Sequence, residues 1–109
     1  MSWEMDAQWF GISEKPRCQN VDFAENPNTS EIFLEFTLIY PDTTAYHYTV
    51  KAQMDKGLGK YKGSYQCDDG GKGEVRFKKL LDDDGVYLFG SMWMEDGYQW
   101  QWWVELMPI

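Results

Sequence analysis

From residue 31 onward, apolar and polar residues alternate with a period of two, and clusters of Gly, Asp and Pro break the alternation about every ten residues. A strand sends successive side chains to opposite faces, so this pattern predicts an antiparallel meander of half-buried strands. EIFLEFTLIY (31–40) places Ile32, Leu34, Phe36, Leu38 and Tyr40 on one face, and AYHYTVKAQM (45–54) does the same for Tyr46, Tyr48, Val50, Ala52 and Met54. The PDTT turn (41–44) between them, with proline set to fix the first turn dihedral, aligns both apolar faces in an even-to-even register. Pairing 40 with 46 in that register sends His47 to the opposite side, beside Thr37 and Ile39. KYKGSYQC (60–67) puts Tyr61, Gly63, Tyr65 and Cys67 on one face. GEVRFKKLL (73–81) alternates less cleanly, because Lys79 shares a face with Val75, Phe77 and Leu81. VYLFGSMWM (86–94) and YQWQWWVELMPI (98–109) follow the acidic turns DDDG and EDG. Residues 1–30 are expected to be an irregular segment that packs on the sheet and holds at most one irregular strand. Trp3, Ala7 and Phe10 have helix-like spacing over too short a stretch to stand as a helix.

The last hairpin carries the densest aromatic run, with Trp100, Trp102 and Trp103 inside four positions. Two registers compete. A two-residue Asp96-Gly97 loop pairs 95 with 98 and places Tyr87, Phe89 and Trp93 on the face of Trp100 and Trp102. A three-residue Glu95-Asp96-Gly97 loop instead brings Val86, Leu88, Gly90 and Met92 to that face and leaves Phe89 and Trp93 outside beside Trp103. Reading the preceding turn as Asp83-Asp84-Gly85 favours the first register. Either way, both faces of the hairpin carry large apolar groups.

Six or seven consecutive strands with glycine-x-aromatic pairs, carried by Gly63-Ser64-Tyr65 and by Gly90-Ser91-Met92-Trp93, resemble the small calycin-type barrels, the lipocalins and avidins. The resemblance spans roughly residues 31–109, and the lipocalins' early G-x-W is absent, since Gly11 is followed by Ile12-Ser13. Length predicts one domain over 1–109 and periodicity an all-β, six- to eight-stranded antiparallel meander; the resemblance implies that it closes into a small calycin-like barrel and binds a small apolar ligand inside. By position Tyr65 looks like the tyrosine lining the avidin pocket. No other biotin-contacting residue can be matched, and biotin is not expected.

Composition narrows the classes. The net charge of −8 argues against a nucleic-acid binder that works by phosphate neutralisation. The charge is uneven: residues 51–79 hold 8 basic and 4 acidic groups, whereas 80–109 hold no basic and 6 acidic ones. In a sheet the middle lysines are expected to pair across strands with acidic neighbours. No apolar run nears the roughly 18 residues of a membrane span, so no membrane partner is expected. The start MSWEMDAQWF lacks a basic and an apolar signal region, so a cytoplasmic location is expected. Cys18 and Cys67 lack metal-ligand spacing and are expected as reduced thiols, with no metal and no cofactor. Acidic clusters such as Asp82-Asp83-Asp84 fall in turns, where their side chains bond nearby amides.

The short motifs of common enzyme classes are absent, and His47 on an outer face reads as a surface residue, so an enzyme is not the expected class. The leading reading is a non-enzymatic binder of a small apolar or aromatic molecule, with Tyr48, Tyr65, Trp93, Trp100 and Trp102 lining the site. Tyr46, Ser91 and Arg76 are further polar-tipped candidates for orienting a ligand. The alternative is a protein-interaction module, of the acidic inhibitor or immunity type, using the outer face of the C-terminal hairpin. On that reading Leu88 and Trp103 form an interface, in the preferred version a homodimer.

Overall fold

A computed structural model describes residues 2–11 and 15–109. Eight antiparallel strands follow one another: β1 (Trp3–Trp9), β2 (Arg17–Asn26), β3 (Glu31–Ile39), β4 (Ala45–Asp55), β5 (Lys60–Cys67), β6 (Lys72–Asp82), β7 (Gly85–Met94) and β8 (Gln99–Pro108). They form one sheet in the order β1-β8-β7-β6-β5-β4-β3-β2, which curls into a nearly closed barrel without helices among the described residues. Every ladder joins neighbours in the chain except β1–β8. The ends of the order meet at a seam between β1 and β2, where the Trp3 ring stands edge-on to Phe23 with centroids 5.2 Å apart.

The alternation from residue 31 becomes structure with its faces as read. Ile32, Leu34, Phe36, Leu38, Val50 and Ala52 are buried inside. The β3–β4 register pairs Leu38 with Tyr46 and Ile39 with Ala45, two residues away from the expected 40–46 pairing. A slip of two preserves every face, since the side-chain period is two. The turn is longer than expected, closing with Tyr40 N–H to Thr44 O at 2.9 Å and with Thr43 at a positive φ.

The expectation of an irregular N-terminal segment is corrected: it supplies two full strands. β1 pairs Trp3 with Pro108, Met5 with Leu106, Ala7 with Val104 and Trp9 with Trp102, so its odd residues face the core. β2 carries a bulge between Gln19 and Asp22, with Asn20 at φ 53°. A bulge adds a residue to one strand and shifts its alternation, which hides the strand from a period-two reading.

The favoured register of the last hairpin is also corrected. The β6–β7 turn is two residues long, with Asp82 paired to Gly85, instead of the three-residue Asp83–Gly85 loop. That one-residue difference flips every side chain of β7. Leu88 and Met92 therefore point inward, and Phe89 and Trp93 point outward. The final loop is Glu95-Asp96-Gly97, with Gly97 N–H bonded to Met94 O at 2.9 Å and Gly97 at φ 85°. Gly90 sits opposite Trp102, not Trp103.

The middle of the barrel is filled. Trp102, Phe36 and Phe77 are each almost fully buried, with Trp102 edge-on to Phe77 at 5.9 Å and Phe77 stacked on Tyr61 at 5.4 Å. Lys79, the residue that spoiled the pattern of β6, does face inward, at one end of the barrel. Its ammonium reaches the Glu25 carboxylate at 2.7 Å and lies 5.6 Å from the Tyr61 ring centroid, while Tyr61 Oη donates to Glu25 at 3.2 Å. This polar bridge ties β2, β5 and β6 across the barrel and closes that end.

Candidate binding site at the open end

The opposite end is a cup of about 220 Å³. Its walls are Trp9 from β1, Leu38 and Tyr40 from β3 and its turn, Tyr48 from β4, Tyr65 from β5, Met92 and Met94 from β7, and Trp100 from β8. Each is delivered by strand parity: residues two apart share a face, so the last inward position of a strand becomes a wall of the mouth. Tyr48 lies flat on Phe36 with centroids 5.4 Å apart and leans on Tyr65 at 6.3 Å and Trp9 at 6.4 Å. Trp9 in turn stacks on Trp102 at 6.3 Å.

The indole N–H groups of the walls are already engaged. Trp9 Nε1 donates to Met92 Sδ at 3.0 Å, and Trp100 Nε1 donates to Met94 Sδ at 3.3 Å. Both indoles thus offer the cup their ring surface. Burial, together with the neighbouring Cys67, which also hydrogen-bonds it, pushes the Tyr48 hydroxyl far above its ordinary pKa. Burial also raises Tyr65, helped by Cys67, Asp69, Asp96 and Glu95. The cup therefore presents neutral phenols at physiological pH.

Around the mouth the charge is negative. A polar shelf lined by Asp42, Thr44, Tyr46 and Asp69 adjoins the cup and shares Tyr40 and Tyr48 with it. Asp42 and Asp69 are both held below the usual carboxylate range, Asp42 by Thr44 and Asp69 by the Gly71 amide and the Cys67 thiol. Glu95 and Asp96 stand near enough to act on Tyr65.

Of the predicted lining residues, Tyr48, Tyr65 and Trp100 come together in the cup, and Trp102 lies beneath it as the base of the Trp9 stack. Trp93 does not join them. It faces outward under the Arg76 guanidinium, whose carbon is 5.2 Å from the ring centroid. Of the two predicted interface residues, Leu88 is fully buried inside, so it offers nothing to a partner. Trp103 is on the outer face as expected, half-buried, opposite Phe89 and Gln8 and 6.3 Å from the Tyr87 ring. Trp9, Leu38, Tyr40, Met92 and Met94 were missed as wall residues. Trp9 was accessible from the alternation of Trp3, Met5, Ala7 and Trp9, whereas Met92 and Met94 depended on the register of β7.

His47 lies on the outer face as expected. Its Nδ1 is 3.0 Å from Thr37 Oγ1 and its Nε2 is 2.6 Å from Glu35 Oε1, which makes a cross-strand tie on the flat of the sheet. Both cysteines are free. Burial and then Asp6 push the Cys18 thiol up to about 11, and burial pushes Cys67 up to about 11. Burial works to lower the Lys79 ammonium, but Glu25 and Tyr61 outweigh it, so its pKa is raised. Each of these groups holds its proton more tightly folded than unfolded. Their stabilisation is complete below the unfolded pKa values and is lost as pH rises through the folded ones. Urea midpoints are accordingly expected to decline from about pH 9 toward pH 11, and a Cys18→Ala, Cys67→Ala double variant to show a shallower decline. A flat profile from pH 8 to 11 would contradict the burial of these groups.

No protein-family model matches the chain, and no curated protein matches it. Among solved structures, the chain resembles a de novo designed fluorescence-activating β-barrel with a TM-score of 0.65 and 18% sequence identity, over 98% of this chain and 90% of that one. A likeness at that identity is one of fold.

Proposed function

We propose that the protein is a non-enzymatic binder of a small, flat, apolar molecule, neutral or cationic, held in the cup at the open end of the barrel. The observation that carries this reading is the set of ring faces around one opening, with the indole N–H groups bonded to the sulfurs of Met92 and Met94 in the same walls. Flat ligands gain from stacking on such faces beyond the area they bury. At about 220 Å³ the cup is smaller than the roughly 300–1,000 Å³ of drug-sized pockets, so the ligand is of one or two fused rings. Asp42, Asp69, Glu95 and Asp96 around the mouth disfavour an anion and favour a positive end at the rim. The structural likeness to a designed fluorescence-activating barrel supports a fold able to hold such a ligand.

Isothermal titration calorimetry with 2-naphthol and with N-methylquinolinium tests the reading. Both are expected to bind, and Trp100→Ala is expected to weaken each by about tenfold through loss of one stacking wall. Absence of heat for both probes, or affinity unchanged in Trp100→Ala, would overturn it.

A further inference from the structure

The lysines of the middle block do not simply pair with the acidic flanks. On the outer face of β5 and β6 stand Lys60, Lys62, Lys72, Arg76 and Lys78, with Glu74 between them and Asp82 at the far end of β6. Lys62 is directly opposite Arg76. Like charges in that position destabilise a ladder. Glu74 relieves this pair, reaching Lys62 Nζ at 3.5 Å and Arg76 Nε at 3.4 Å, and Lys72 finds Glu95 at 3.6 Å. Among the described residues, Lys60 and Lys78 have no carboxylate within ion-pair distance, and the nearest to Lys60 across the β4–β5 ladder is Asp55, directly opposite it. A protein of net charge −8 thus gathers an excess of positive charge on one wall.

That wall also holds a groove of about 420 Å³, larger than the cup and on a different surface. Lys60, Arg76 and Lys78 line one side, and Phe89, Ser91 and Trp93 from β7 line the other. Lys78 is directly opposite Phe89, and Arg76 is directly opposite Ser91 while its guanidinium covers Trp93. Cations and ring faces therefore alternate across one strand pair, an arrangement suited to a molecule that carries both a negative group and a flat apolar body.

We propose that this groove is a second binding site, separate from the cup, for a small anion with an aromatic body, such as an aromatic carboxylate or sulfonate. Lys60 and Lys78 neutralise the anionic group, Arg76 donates to it, and Trp93 and Phe89 take the ring. The two sites select opposite charge: carboxylates ring the mouth, and cations line the groove.

The test is calorimetry of the full chain with 2-naphthalenesulfonate, whose negative charge the mouth disfavours. Binding is expected, and it is expected to weaken about fivefold to tenfold in Arg76→Gln, Lys78→Gln, as two partly exposed charge contacts are lost. Lys78→Gln alone, at an exposed position with no ion pair to disturb, is expected to weaken it about threefold and keep the wild-type melting temperature. Raising salt from 50 to 500 mM should weaken it similarly, and Trp100→Ala should leave it unchanged. Affinity unaltered by the groove variants, or lost instead in Trp100→Ala, would overturn the second site while leaving the cup to its own test. Binding of a single-stranded oligothymidylate with equal salt dependence, in the absence of sulfonate binding, would overturn it in favour of a nucleic-acid platform.

Discussion

Gly90→Ala is expected to lower the unfolding free energy by about 3 kcal/mol or more, among the largest effects of any single methyl group in this chain. A Cβ at Gly90 would stand 1.9 Å from Arg76 O and 2.6 Å from Phe77 Cα. These are backbone atoms of β6 inside the ladder that pairs Phe77 with Gly90, so no side chain can swing aside to make room. A Cβ at Gly63 or Gly73 would likewise meet a neighbouring strand's carbonyl oxygen, at 1.9 and 1.8 Å, so the crowding recurs along the sheet. Gly59 is the control: it has φ +66° with nothing within 4 Å. Asn tolerates that conformation, so Gly59→Asn is expected to stay within about 0.5 kcal/mol of wild type. Urea denaturation of both variants decides the matter, and equal losses would show that close backbone approach is not what fixes Gly90.

Trp102 sets the second large effect, and two substitutions separate its contributions. Trp102→Ala is expected to cost about 4 kcal/mol, because the ring fills the middle of the barrel between Trp9 and Phe77. Trp102→Phe is expected to cost about 1–2 kcal/mol, less than the lost volume alone would suggest. The reason is the Trp102 Nε1 atom, which is buried without a hydrogen-bond partner. Phenylalanine removes that unsatisfied donor together with part of the ring, so the two changes oppose each other. If Trp102→Phe proved as costly as Trp102→Ala, indole shape and not burial of a large ring would be the controlling term. The same pair of variants reads on the cup. Trp9 rests on Trp102, so Trp102→Ala removes support from one of its walls, whereas Trp102→Phe keeps a ring beneath it.

The fold was legible in the sequence wherever one face alternated without interruption. β3, β4 and β5 emerged with their faces as read, and a two-residue slip between β3 and β4 cost nothing because parity survived it. Lys79 looked like a flaw in β6 and is instead the inward cation that meets Glu25 and Tyr61 at the closed end. β2 was hidden by its bulge, which breaks the alternation between Gln19 and Asp22. β1 was not hidden in the same way. Its Trp3-Met5-Ala7-Trp9 alternation is plain, and the helical spacing of Trp3, Ala7 and Phe10 competes with it over the same residues.

The site was less legible, for one local reason. DDDG accommodates a loop of two or three residues, and nothing in those four letters measures its length. On that single residue depended whether Trp93 or Met92 joined the wall, and whether Leu88 was surface or core. Composition could count the tryptophans but could not assign them to sides.

Among the described residues, β1 is hydrogen-bonded into the sheet through β8 alone, across a sequence separation of nearly the whole chain, and its other edge meets β2 at the seam. All remaining ladders are local hairpins, which close at small entropic cost. β1 is thus the keystone of the barrel, the strand whose removal frees an edge of β8. Trp9 rides on it into the cup, so the cup is complete only while the keystone is in place. On the proposed function, occupancy and closure would be linked in both directions: a ligand resting on Trp9 would hold β1 down, and a chain with β1 lifted would have no complete vessel to offer.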